Sequence, residues 1–73
     1  MITRHGLRYW TTEELAGSLT ARGIISGHGT RREVLRRARR WAEREDLRPV
    51  AATRRGDLLW PEDAALEILG VAT

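Results

Sequence analysis

Between Thr30 and Asp46, seven of seventeen residues are arginine, yet an apolar residue still returns at each helical turn: Val34, Leu35, Ala38, Trp41 and Ala42. At 100° per residue these five fall within an arc of about 120°. The segment is therefore predicted to be an amphipathic helix, and it needs a second layer to cover Trp41. Arg32, Arg36, Arg39 and Arg40 fall on the opposite side, with Arg37 and Arg44 on one flank. Glu43, Glu45 and Asp46 gather near its C-terminal end, where they oppose the helix dipole; helix stability alone favours the reverse order. Bases first and acids last suit an anionic partner better than they suit an isolated helix.

The rest of the chain bounds what that helix can belong to. Seventy-three residues make one domain. A chain of this size buries only about 60% of its unfolded surface, so a modest stability is expected. There is no cysteine, hence no disulfide and no thiolate metal site. No apolar run approaches the ~20 residues that cross a bilayer. The opening MITRHGLRYW lacks the apolar centre of a signal peptide. A soluble cytoplasmic protein is expected. The thirteen basic residues are all arginine, and all lie within residues 1–56 against six acids, a formal +7; residues 57–73 carry four acids and no base. This asymmetry points one side of the molecule toward a polyanion.

Local signals place the other elements. Leu7 to Trp10 reads as a short strand. Thr11 and Glu14 have the spacing of a capping box, and Trp10 and Leu15 that of a hydrophobic staple. A first helix is thus expected from about Thr12 to Arg22, ended by Gly23. Gly17 inside it suggests a close helix–helix approach. Gly23 to Gly29 reads as a loop made mobile or sharply bent by its glycines, with Ile24 and Ile25 plugging the core. Thr30 and Glu33 repeat the capping box at the start of the arginine helix. After it, Leu47 to Ala52 reads as a short strand kept to an edge by Pro49. Thr53 to Gly56 is a turn, and Asp57 to Trp60 the returning strand. Pro61 suits the first position of a third helix, with Glu62 and Asp63 in its favourable first turn. Ala65, Leu66, Ile68 and Leu69 form its buried face, and Gly70 ends it before the short tail VAT. No internal repeat is evident. Trp10, Trp41 and Trp60 are the expected large core residues.

This order resembles a known family. YWTTEELAGSL is similar to the opening strand and first helix of the MerR and phage excisionase superfamily. VLRRARRWAEREDLRPV resembles their second helix and its exit, and TRRGDLLWPEDAALEIL their wing tip, returning strand and final helix. The resemblance spans about residues 8–70. It implies a mostly α fold with a small β wing, a winged helix-turn-helix ordered strand-helix-loop-helix-hairpin-helix. The family's turn between the first two helices is tight, whereas about seven residues intervene here. A chain that stops after the third helix is closest to the stand-alone excisionase-like branch.

The resemblance implies a small sequence-specific binder of double-stranded DNA, either an excisionase-type recombination directionality factor or a small phage or plasmid transcriptional regulator. Thr30, Arg31, Arg32, Arg36, Arg39 and Arg40 are the candidate contacts on the second helix, and Arg54 and Arg55 those on the wing. The N-terminal half of a recognition helix meets the major groove. That assigns Arg31, Arg32 and Arg36 to bases or nearby phosphates, and Arg39 and Arg40 to backbone. An integrase, or a second copy bound on DNA, is an expected partner. The plain alternative is a solvated helix whose arginines pair with Glu43 and Glu45. Two rival classes remain: an interaction module docking an acidic protein through the arginine face, and an RNA binder. His5 and His28 are isolated, without the i, i+4 spacing of a helical metal pair, so no metal is expected. Nor does any nucleophile elbow, phosphate-cradling Gly-Lys motif or carboxylate pair point to catalysis. No cofactor is expected. Arg55-Gly56-Asp57 reads as a chance RGD within a turn.

Overall fold

Each helix starts from a side chain or strand end that fixes its first turn. In the computed structural model, which describes residues 2–70 and Ala51 by its backbone alone, the elements run β1 (Ile2–Arg4), β2 (Leu7–Thr11), α1 (Thr12–Ala21), α2 (Arg31–Arg44), β3 (Ala51–Ala52), β4 (Leu58–Pro61) and α3 (Glu62–Leu69). The tail after Gly70 lies outside the described residues.

Both expected capping boxes form. Thr11 Oγ1 accepts from the Glu14 N–H at 3.3 Å while Glu14 Oε1 accepts from the Thr11 N–H at 3.1 Å. Thr30 and Glu33 make the same exchange at 3.2 and 3.3 Å. Each box satisfies donors that a helix start otherwise leaves orphaned. The exits of α1 and α2 also match one another. Ile24 N–H reaches Leu19 O and Gly23 N–H reaches Thr20 O; Leu47 N–H reaches Ala42 O and Asp46 N–H reaches Glu43 O. Both are Schellman endings. The second places an aspartate, Asp46 at φ 57°, where glycine is the usual residue.

The four strands form one antiparallel sheet in the order β1-β2-β4-β3. The outer strand β1 was not expected. It folds back on β2 through the two-residue turn His5-Gly6, where both residues have positive φ, as a tight hairpin turn requires. Asn-Gly is the usual sequence signal there, and His-Gly hides it. Pro61 is one position earlier than expected: it caps α3 and closes β4, opposite Tyr9 in the ladder.

α1 packs against β2, β4 and α2, while α3 packs on β2 and β4. The core joins Leu15, Ala16 and Leu19 of α1 to Ala38, Trp41 and Ala42 of α2, with Leu47, Trp60 and Ala65. Trp41 and Trp60 are 5% and 3% exposed. Trp10 departs from expectation. It is half-buried and packs beside the core, because its indole N–H turns to Glu62 Oε2 at 2.8 Å. Ile24 and Ile68 also face outward; Ile25 alone plugs the loop, and Ala65 with Leu69 anchors α3. Gly17 permits no close approach, since a Cβ there would meet no atom within 4 Å.

Candidate nucleic-acid interface

The seven arginines of α2 divide by what they touch. Arg31 bridges to Glu13 of α1. Arg37 is turned toward the preceding loop: its Nη1 donates to the backbone carbonyls of Ser26 (3.0 Å) and His28, and its Nη2 lies 3.7 Å from Glu33 Oε2. Arg32, Arg36, Arg39, Arg40 and Arg44 are exposed, and among the described residues none of them has an ion-pair or hydrogen-bond partner. Neither Glu43 nor Glu45 neutralises them, although Glu43 stands one turn beyond Arg39. Arg32, Arg36, Arg39 and Arg40 line one shallow surface with Glu43 at its end.

Arg32, Arg36 and Arg40 follow one another at four-residue steps. Like charges at that spacing weaken a helix by a few tenths of a kcal/mol per pair. The stripe therefore stands against the intrinsic preference of the helix, and the buried apolar face holds it in place.

Thr30 is committed to the cap. Its hydroxyl accepts from the Glu33 N–H and lies 3.1 Å from Glu33 Oε1, so its role is to start α2 at a fixed residue. The backbone N–H and hydroxyl of Thr30, and then the guanidiniums of Arg37 and Arg36, hold the Glu33 carboxyl below its ordinary value of 4.5. This cap survives mildly acidic conditions.

The β3–β4 connection is built to expose two arginines. Thr53 N–H donates to Asp57 O at 2.8 Å and Gly56 N–H to Thr53 O at 2.9 Å, while Thr53 Oγ1 accepts from the Asp57 N–H at 3.2 Å. Gly56 has φ 86°. This is a three-residue hairpin loop with its glycine in the left-handed position. Arg54 and Arg55 occupy its tip and Asp57 ties its base, so the RGD triplet is turn architecture. Arg55 also lines a cleft with Thr11, Thr12, Glu13, Arg31, Leu35 and Asp57. The hairpin tip and the start of α2 thus border a common cleft, and Arg54 stands outside it.

By helical phase Arg37 belongs to neither face of α2, and the glycines of the Gly23–Gly29 loop leave its shape open in the sequence. The structure fixes that loop at both ends. A Cβ on Gly27 would come within 2.7 Å of Thr20 Cγ2, and one on Gly29, where φ is 98°, within 2.8 Å of Glu33 Oε2. Gly27 therefore lies close against α1, and Gly29 against the start of α2.

Among the described residues no His, Cys, Asp or Glu cluster could hold a metal, and no helix is long and apolar enough to cross a membrane. The architecture defines a small domain of three helices on an antiparallel sheet, with an arginine surface on its middle helix. No family model, curated protein or solved structure matches the chain significantly.

Proposed function

We propose that this chain is a small sequence-specific double-stranded DNA-binding protein, a winged helix-turn-helix in which α1 and α2 form the helix pair and the β3–β4 hairpin is the wing. The carrying observation is the exposed set Arg32, Arg36, Arg39 and Arg40, without an ion pair among the described residues, along one face of a helix whose other face is core. Four residues of helix rise about 6 Å, and duplex DNA presents a charge about every 1.7 Å of its axis. Such a stripe finds its neutralising partner along a phosphate backbone. Guanidinium adds the planar fork that reads guanine edges in the major groove.

In this reading α2 enters the major groove. Arg32 and Arg36 reach base edges, Arg39 and Arg40 reach phosphates, and Arg54 and Arg55 reach the flanking minor groove or its backbone. Arg31 helps from its pairing with Glu13, and Thr30 acts by fixing the start of α2. No cofactor enters. The role is that of a recombination directionality factor of the excisionase type or a small transcriptional regulator, with an integrase or a further copy of the chain as partner on DNA.

The test is selection of binding sites from random duplexes, followed by footprinting, with duplex RNA as competitor. An enriched duplex site, poorly competed by RNA, is expected, because A-form grooves do not admit a helix in the same way. Direct repeats in that site favour the directionality factor, and a palindrome favours a repressor. Failure to enrich any site would overturn the reading.

A further inference from the structure

We infer that Arg37 is a positioning residue: it makes no nucleic-acid contact but locks the Ser26–Thr30 loop onto the first turn of α2, and so sets how that helix is presented. The inference rests on the DNA reading above and names a residue whose loss damages sequence discrimination without removing a phosphate contact.

Three observations converge on it. The guanidinium is spent on protein. One nitrogen serves the Ser26 and His28 carbonyls and the other faces the Glu33 carboxylate. That carboxylate is itself the reciprocal half of the Thr30 capping box. The cap, the loop backbone and Arg37 therefore form one connected unit. The side chain of Arg37 is 36% exposed, whereas that of Arg31 on the same helix is 75% exposed.

The loop is also shaped to be held. Gly29 lies so close to the Glu33 carboxylate that a side chain there would displace it, and a Cβ would also touch Arg37 Nη2. Gly27 lies as closely against Thr20 of α1. A seven-residue connection, long enough to let α2 swing relative to α1, is thus pinned at each helix. Arg37 supplies the side-chain hydrogen bonds from α2 to the Ser26 and His28 carbonyls. The planar fork matters as much as the charge, because a single ammonium does not reproduce its fixed donor geometry.

The experiment compares Arg37→Ala, Arg37→Lys and Arg36→Ala with the unaltered protein, all checked for a native circular dichroism spectrum. Binding is titrated on the selected site and on random duplex at several salt concentrations, and amide exchange is followed for residues 24–30. Arg37→Ala and Arg37→Lys are expected to speed loop exchange and to lower the specific-to-random affinity ratio by roughly tenfold, the scale of one lost base contact. Their salt slope stays unchanged, while Arg36→Ala, which removes a proposed base contact, loses site preference with loop exchange unchanged. A slope reduced by about one unit in Arg37→Ala and restored in Arg37→Lys, with unchanged loop exchange, would show a phosphate contact and overturn the inference. If the unaltered protein binds no duplex, the DNA reading falls. Loop exchange then judges the lock alone, and unchanged exchange in Arg37→Ala would remove that too.

Discussion

Trp10 and Trp60 face each other directly across β2 and β4, and each indole N–H is given to the second residue beyond the other tryptophan. Trp10 Nε1 donates to Glu62 Oε2 at 2.8 Å, and Trp60 Nε1 to Thr12 Oγ1 at 3.0 Å. The two strand-to-helix corners are thus tied by a reciprocal pair of bonds around a local two-fold axis. Their environments differ, since Trp60 is buried and Trp10 only partly so. Trp60→Phe is expected to lose about 1–3 kcal/mol, through lost packing and a Thr12 hydroxyl left without its donor. Trp10→Phe should lose about 1 kcal/mol or less. Urea unfolding of both variants measures this, and equal losses would refute the asymmetry.

Asp46 occupies a left-handed ending that favours glycine. Its ion pair with Arg48, 3.4 Å long, is almost fully exposed and offsets little. Asp46→Gly is expected to stabilise the fold by ~0.5 kcal/mol, a rise of a few degrees in Tm for a domain of this size. Gly29→Ala should do the reverse, because a Cβ there meets the Glu33 carboxylate. Melting curves that moved the two variants in the same direction would contradict the backbone argument.

Gly17 sits mid-helix with open space where its Cβ would be. Gly17→Ala is expected to raise stability by up to about 1 kcal/mol, since alanine restricts the unfolded chain and displaces nothing. A loss of stability would mean that the groove between α1 and α2 closes more tightly in solution.

Glu33 titrates below its ordinary value because Thr30 and two arginines favour its charged form. A depressed folded value means that the stabilisation is complete above 4.5 and is lost as pH falls through the lower folded value. The stability difference between the unaltered protein and Glu33→Gln should therefore be flat near neutrality and shrink only in the acid range below 4.5. Denaturant titrations across that range test it; a difference that grew with acidity would reverse the assignment.

On the proposed interface, Arg32→Ala and Arg36→Ala should each lose about 1–3 kcal/mol on a selected site and much less on random duplex. Arg54→Ala and Arg55→Ala should weaken both by similar factors and flatten the salt dependence by about one unit. Uniform weakening by all four would mean that α2 supplies charge alone.

The elements with strong local chemistry were legible in the sequence. Thr11 with Glu14 and Thr30 with Glu33 marked two helix starts to the residue, and the period of Val34 to Ala42 identified the buried side of α2. What stayed hidden depends on partners distant in the chain. Nothing near Trp10 announces Glu62, so the turn of its indole away from the core was unreadable. Nothing near Arg37 announces the carbonyls of Ser26 and His28. The β1 hairpin was missed for a local reason, since His5 adopts a conformation that asparagine or glycine more often signals. The arginine face could be read as a charged stripe, but that Arg32, Arg36, Arg39 and Arg40 form no ion pair among the described residues emerged only from the geometry.

The pairing of β2 with β4 also orders events in time. Its two strands are fifty residues apart in the chain, so the middle of the sheet closes a loop that spans most of the molecule. Caps and helical periods act within a few residues and form early. Long-range pairing is slow because its closure entropy comes before its contacts. A growing or refolding chain thus holds nascent α1 and α2 while Trp41 still awaits the strand bearing Trp60. The encounter of the two tryptophan strands is therefore expected to be the slow step of folding, with α1 and α2 already able to dock on one another before it.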